Sequence, residues 1–122
     1  MIVFDTGALI AVERRKQRML DVWKTATRAR VPILVPGAVI SEWWRGRSDI
    51  REAILASLTV VPVGEVLGKA SGEALAFVGG ATAIDAIVMA LAAHRDAVVY
   101  TSDVDDLEQL RAFYPGVRVL ST

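Results

Sequence analysis

Apolar residues occur along the chain in two alternating patterns. Short uninterrupted apolar runs are typical of strands that are buried on both faces, whereas longer segments with apolar residues three or four positions apart are typical of amphipathic helices. We predict five strands at short, largely apolar runs, which cover residues 2–4, 31–35, 58–61, 97–100 and 117–120. We predict helices over residues 8–12, 19–30, 39–45, 49–57, 65–77, 83–94 and 103–113.

Strands that alternate with helices indicate a parallel sheet covered by helices on both faces. The chain has no internal repeat or low-complexity linker, and its 122 residues are enough for one core and too few for two. We therefore predict a single α/β domain, residues 1–122, built as a three-layer sandwich around a four- to five-stranded parallel sheet. Asp5-Thr6-Gly7 is predicted as a turn, and Ser48 and Thr82 as helix N-caps.

Composition narrows the chemistry that this domain can perform. Apolar residues make up 53% and charged residues 23%, as in ordinary globular proteins. The chain has no Cys and only one His, which excludes disulfides, a thiolate zinc site and a Cys nucleophile. No apolar run approaches the roughly 20 residues of a membrane span, and the first residues do not resemble a signal peptide. We therefore expect a soluble cytoplasmic protein.

The charges are balanced overall but distributed unevenly. Residues 1–61 contain ten Lys and Arg against six Asp and Glu, whereas residues 62–122 contain four against eight. An asymmetry of this kind points to a charged partner, although two solvated surfaces of opposite charge would produce the same pattern.

Four acidic residues stand where a parallel sheet places its ligands, near the carboxyl ends of its strands. Asp5 ends the first strand and Asp103 follows the fourth, while Glu42 and Asp85 stand within apolar helical segments where an unpaired charge is costly. If these carboxylates converge, each close pair repels by about 4 kcal/mol at an effective dielectric constant of 20, and a divalent cation removes that repulsion. Oxygen ligands favour Mg²⁺ or Mn²⁺, so the pattern predicts metal-assisted phosphodiester hydrolysis.

Each acid also fits a purely structural role when it is taken singly. Asp5 fits a turn residue, Asp85 a helix-dipole acid, Asp103 an N-cap and Glu42 a surface residue. The joint pattern is what favours a common site.

The acids and their neighbours resemble a known family. The set Asp5-Thr6, Ser41-Glu42, Ile84-Asp85-Ala86 and Thr101-Ser102-Asp103 is similar to the motifs of PIN domains, and specifically of the VapC-type ribonuclease toxins of toxin–antitoxin pairs. The resemblance runs from the first strand to the last. It implies a PIN-like three-layer sandwich whose four acids surround one or two Mg²⁺ or Mn²⁺ ions. It also implies metal-dependent RNA cleavage, a homodimer and a small antitoxin protein that inhibits the site.

Carried over residue by residue, the resemblance assigns catalytic and metal-binding roles to Asp5, Glu42, Asp85 and Asp103. Thr6 matches the hydroxyl residue that follows the first acid, where it would support the metal ligands through hydrogen bonds. Asp106 lies three residues after Asp103, on the same helical face, and is a possible substitute acid.

An RNA substrate needs positive charge beside an acidic centre. Two basic clusters are available, one around Arg14 and the other containing Arg45 and Arg47. We predict RNA binding by Arg45, Arg47 and Arg14, and we expect the second cluster to border the cleft because it follows the helix of Glu42. Solvated surface charge is the alternative interpretation.

Three other functions remain to be compared. A phospho-acceptor receiver domain needs a lone Asp after the third strand and a Lys after the last strand, and the chain has no Lys after Lys69. A non-catalytic PIN-like module that binds RNA or protein stays open, as does a housekeeping PIN ribonuclease without an antitoxin.

Overall fold

The computed structural model describes all residues from Met1 to Thr122. Its centre is a single five-stranded parallel sheet in the order β3-β2-β1-β4-β5. The strands are β1 Ile2–Phe4, β2 Ile33–Pro36, β3 Thr59–Val61, β4 Val98–Thr101 and β5 Val119–Ser121. Five parallel strands confirm the predicted sheet.

Seven helices accompany the strands and complete the predicted three-layer sandwich. They are α1 Thr6–Glu13, α2 Gln17–Arg28, α3 Gly37–Trp43, α4 Asp49–Ala56, α5 Glu65–Phe77, α6 Ala83–Arg95 and α7 Val104–Leu110. Helix α6 packs on β1, β2 and β4 and against α5 and α7, while α1 packs against α2, α3 and α4. None of the helices combines the length and the apolar character that crossing a bilayer requires.

The middle strand, β1, is enclosed between two other strands of the sheet. It pairs with β2 on one side and with β4 on the other, and the side chains of Val3 and Phe4 have no exposed surface. The core around this strand is one continuous cluster of apolar side chains. Because all strands are parallel, their carboxyl ends lie at one edge of the sheet, and the residues that follow β1 and β4 are neighbours there.

The predicted turn at Asp5-Thr6-Gly7 is wrong, because α1 already begins at Thr6. Asp5 is the N-cap of this helix, and its carboxylate accepts a hydrogen bond from the backbone N–H of Ala8 at 2.9 Å. The signals are easily confused, since Asp is favoured both in turns and at N-caps. The predicted N-caps Ser48 and Thr82 are confirmed, each accepting from a backbone N–H three residues later.

The predicted boundaries elsewhere differ from the structure by a few residues at most. Helix α5 has the predicted ends, whereas α7 starts one residue later than predicted and stops three residues earlier, at Leu110. Strand β5 begins at Val119 rather than at Val117. Boundaries of this kind depend on pairing with other strands and on tight terminal turns, which a local apolar pattern does not encode.

Gly7 allows the first turn of α1 to lie directly against the residue that follows β4. A Cβ atom at position 7 would overlap the hydroxyl of Ser102 and lie 2.8 Å from its Cβ. The close approach brings the start of α1 to the same place as the end of β4.

We predict that Gly7→Ala lowers the free energy of unfolding by about 1–3 kcal/mol, because the added methyl group forces Ser102 and its backbone to move. The change is measured by urea denaturation. Gly7→Ala combined with Ser102→Gly removes both overlapping atoms and should restore most of the stability, whereas Ser102→Ala retains the Cβ and should restore less. Equal stability of Gly7→Ala and the wild type would contradict the close approach.

Candidate functional site

A cleft of about 350 Å³ lies at the carboxyl edge of the sheet and collects the acids that the sequence singled out. Five carboxylate side chains line it, together with three hydroxyl residues, two isoleucines and one glycine. The complete lining is Asp5, Thr6, Gly7, Ile10, Glu42, Thr82, Ile84, Asp85, Ser102, Asp103 and Asp106. All four predicted catalytic acids, Thr6 and the substitute acid Asp106 are therefore brought together.

Asp5 is the most buried of these acids, with 6% of its surface exposed. Burial raises the pKa of its carboxyl group from 3.8 to about 6. Hydrogen bonds from the hydroxyl of Thr101 and the N–H of Ala8 lower the pKa, while the charges of Asp85 and Asp103 raise it further. The net effect is that the folded protein holds the proton on Asp5 more tightly than an unfolded chain does.

Thr101 connects the ends of the two central strands, and the sequence analysis did not assign it a role. It has no exposed surface, its hydroxyl bonds to Asp5, and the same oxygen accepts the backbone N–H of Asp103 at 2.9 Å. One side chain thus positions two of the acids. A polar residue that ends an otherwise apolar strand is the only local signal that could have indicated this role.

Glu42 is oriented by two contacts between its helix, α3, and α1. Its Oε1 accepts a hydrogen bond of 2.6 Å from the hydroxyl of Thr6, as the proposed supporting role of Thr6 requires. The next residue, Trp43, is buried and donates its indole N–H to Glu13 at 3.1 Å. Glu13 also accepts from Arg51 at 3.0 Å, and these bonds lower its pKa. Glu13 therefore ties α1 to α3 and α4, a positioning role that its sequence context did not reveal.

Asp85 lies in the first turn of α6, where Thr82 caps the helix. Burial raises the pKa of Asp85, a hydrogen bond with Thr82 lowers it, and the carboxylates of Asp106, Asp103 and Glu42 raise it again. The acids are thus close enough for the charge of one to affect the ionisation of another. Asp103 and Asp106 reach the cleft from the start of α7 and are both exposed.

No Lys, Arg or His lines the cleft, and none of its five acids belongs to an ion pair of the protein. The donor set consists of carboxylate and hydroxyl oxygens, which are the ligands that Mg²⁺ and Mn²⁺ prefer. No three acidic or His side chains are arranged as a ready metal site. Mg²⁺ commonly binds through one or two carboxylates and keeps several water ligands, so a cation here does not require a closed cage of protein ligands.

The predicted RNA-binding arginines lie outside the lining of the cleft. Arg45 lies beyond the end of α3 and folds back onto that helix, donating to the carbonyl of Ser41 at 3.1 Å. Arg47 faces Glu52 at 3.9 Å with most of its side chain exposed. Arg14 is exposed and caps the end of α1. The prediction that these residues bind RNA stays a prediction.

The raised pKa of Asp5 predicts a pH dependence of stability in metal-free protein. Because the folded-state pKa (about 6) exceeds the ordinary value of 3.8, the proton on Asp5 stabilises the fold at low pH, and this stabilisation is lost as the pH rises through 6. Asn keeps the cap and has no proton to lose. The free energy of unfolding of Asp5→Asn relative to that of the wild type should therefore increase as the pH rises from 4 to 7, by at most about 3 kcal/mol.

Urea denaturation in EDTA across this pH range measures the difference. Asp105→Asn removes the same charge from an exposed residue that does not line the cleft, and it serves as the matched control. A stability difference between Asp5→Asn and wild type that stays constant with pH would contradict the burial of an ionisable Asp5.

Comparison with known proteins shows where this architecture occurs. No protein-family model matches the sequence, and no curated protein matches it. Solved structures do match. A chain of the VapBC2 complex from Rickettsia felis, bound to a DNA fragment from their promoter, superposes with a TM-score of 0.77 at 12% identity, covering 100% of this chain and 99% of that chain.

Two further structures match this chain with similar TM-scores and coverages. A chain of the DNA-bound VapBC from Salmonella typhimurium has a TM-score of 0.71 at 19% identity, covering 98% of this chain and 96% of that chain. A chain of a toxin–antitoxin complex from Klebsiella pneumoniae has a TM-score of 0.74 at 19% identity with the same coverages. Over its whole length, this protein therefore has the PIN-like fold that occurs in these toxin–antitoxin complexes.

Proposed function

We propose that this protein is a Mg²⁺- or Mn²⁺-dependent endoribonuclease and the toxin of a toxin–antitoxin pair. The observation that carries the proposal is the convergence of Asp5, Glu42, Asp85, Asp103 and Asp106 on one cleft that contains no positive side chain. A protein that only needs to be stable has no reason to collect five acids at one point, since their mutual repulsion destabilises the fold.

In the proposed site, Asp5, Glu42, Asp85 and Asp103 hold the cation. Once bound, a divalent cation stabilises the charge that builds up on a phosphate and promotes the ionisation of the attacking water. The protein supplies the positions of the acidic side chains. Thr101 holds Asp5 and the backbone of Asp103, and Thr6 directs one oxygen of Glu42.

Asp106 remains as a fifth acid beside the proposed ligands. Its charge raises the pKa of Asp85, so it lies close enough to influence the same protons and cation. It can replace Asp103 as a ligand, or stay free to accept the proton that hydrolysis of the phosphodiester releases.

The fold supports the toxin part of the proposal. Its structural neighbours are chains of VapBC and other toxin–antitoxin complexes, two of them bound to DNA. We propose by analogy that a small antitoxin protein binds this chain and inhibits the cleft, and that the chain forms a homodimer. RNA is the proposed substrate.

We predict that the purified protein cleaves total cellular RNA in Mg²⁺ or Mn²⁺, and that EDTA abolishes the cleavage. Asp85→Asn should lower the rate at least about 100-fold, because it removes a charged ligand from the centre of the site. Asp105→Asn is the matched control, since it removes the same charge one residue away from Asp106 on a side chain outside the cleft.

Thermal denaturation separates metal binding from cleavage. Mn²⁺ should raise the melting temperature of the wild type and of Asp105→Asn, because a ligand that binds only the folded state stabilises it, and should raise that of Asp85→Asn much less. Stabilisation by Mn²⁺ without RNA cleavage would favour a non-catalytic RNA- or protein-binding module. If Mn²⁺ does not stabilise the protein and no RNA is cleaved, the proposal is overturned.

A second prediction tests the toxin role. Expression of the wild type in a bacterial host should stop growth, whereas expression of Asp85→Asn at the same level should not. The growth curve and the integrity of cellular RNA are measured together. Normal growth with an enzyme that is active in vitro would favour a housekeeping ribonuclease.

A further inference from the structure

The turn between α1 and α2 consists of three consecutive basic residues, Arg14, Arg15 and Lys16, and all three are exposed. None of them takes part in the four ion pairs of the protein. The acid next to them, Glu13, is already paired with Arg51. The turn therefore presents three positive charges that form no ion pair, and only the charge of Arg14 acts on a carboxylate, by lowering the pKa of Glu13.

This turn lies at the same edge of the sheet as the acidic cleft. Thr6 and Ile10 line the cleft, and Arg14 follows at the next four-residue step, which keeps helical residues on one face. The N–H of Arg14 still donates to the carbonyl of Ile10 at 2.9 Å. Arg14 thus lies about 6 Å beyond Ile10 along the helix axis. From the other side, Arg18 donates to the carbonyl of Ser121, the last residue of β5, at 3.1 Å.

The other basic cluster is more fully engaged within the protein. Arg51 is held by Glu13, Arg45 donates to a carbonyl of the preceding helix, α3, and Arg47 faces Glu52. A phosphate that binds there has to compete with these contacts. A phosphate that binds at the α1–α2 turn does not have to break an ion pair of the protein.

We propose that the turn of Arg14, Arg15 and Lys16 binds the phosphate backbone of the RNA whose scissile phosphate lies in the acidic cleft. The inference rests on the proposed function and adds to it the surface that holds the substrate. A cleft lined by acids repels a polyanion, so positive charge is needed within about one Debye length, which is about 8 Å at physiological ionic strength. Thr6, Ile10 and Arg14 follow one another at four-residue steps along α1. They connect the negatively charged cleft to the positively charged turn.

The backbone of the turn provides a matched pair of variants. Arg15 has a φ of 58°, in the left-handed region, and with Lys16 it closes α1 in a pattern that usually has Gly at this position. Arg30 has a φ of 56° and closes α2 in the same way. Arg30, however, precedes β2, which begins at the amino edge of the sheet, opposite the cleft.

Arg15→Gly and Arg30→Gly therefore remove the same charge and relieve the same backbone conformation at opposite edges. Each should raise the melting temperature by about 2–5 °C, because Gly adopts positive φ readily. Only Arg15→Gly should weaken RNA binding, so a gain in stability accompanied by a loss of affinity is expected at one position alone.

The binding experiment uses a fluorescein-labelled single-stranded RNA of 20 nucleotides. All variants are made in the Asp85→Asn chain and measured in EDTA, so that the RNA stays intact and binding is measured separately from cleavage. Combining Arg14→Gln, Arg15→Gly and Lys16→Gln should lower the affinity at least about 10-fold. It should also reduce the slope of log K against log salt by about 2, since each phosphate contact on a single strand contributes about 0.7. Arg30→Gly and the pair Arg45→Gln, Arg47→Gln should change both quantities much less.

Wild-type affinity in the triple variant overturns the proposal, and so does a larger loss in the Arg45 and Arg47 pair. A triple variant that binds RNA normally but no longer binds poly-L-glutamate would overturn it too, because the turn would then serve an acidic protein partner. Failure of the proposed function is distinguishable, since the Asp85-dependent cleavage assay reports on it separately. A chain that cleaves RNA while the turn variants bind normally retains its function and loses only this surface.

Discussion

Asp5 stands at the carboxyl end of the middle strand, where it is 6% exposed and lies within reach of the charges of Asp85 and Asp103. Burial of an ionisable group with like charges around it costs free energy, and its raised pKa expresses that cost. The rest of the site follows from this position. Asp5 caps α1 and accepts the hydroxyl of Thr101, so the same carboxylate that destabilises the fold by its charge also helps to hold α1 and β4 in place.

Side chains far apart in the sequence hold the other acids around it. The hydroxyl of Thr6 reaches Glu42, 36 positions away, and Glu13 reaches Arg51, 38 positions away. Because Glu13 also accepts the indole N–H of Trp43, the helix of Glu42 is fastened to α1 at a second point. Thr6, Glu13 and Trp43 are not themselves acids of the cleft lining, and a change in any of them is expected to act on the site through position rather than through chemistry.

Much of the architecture was predictable because the signals are local. Short, largely apolar runs identified all five strands, and the caps at Ser48 and Thr82 were readable from single residues. Asp5-Thr6-Gly7 was misassigned as a turn, since Asp serves turns and N-caps equally well and only the path of the following chain distinguishes them. Thr101 was passed over because a buried hydroxyl acquires its role from partners on another strand.

The sequence by itself determined the alternation of strands and helices, the absence of Cys chemistry and the candidate acids, because apolar periodicity, capping and composition are properties of neighbouring residues. Only the tertiary structure decided that Asp5, Glu42, Asp85, Asp103 and Asp106 line one cleft. It also decided which basic residues are free and which are paired. The physical reason is that charge pairing and burial depend on distances between elements, and a parallel sheet brings residues from remote parts of the chain to a single edge.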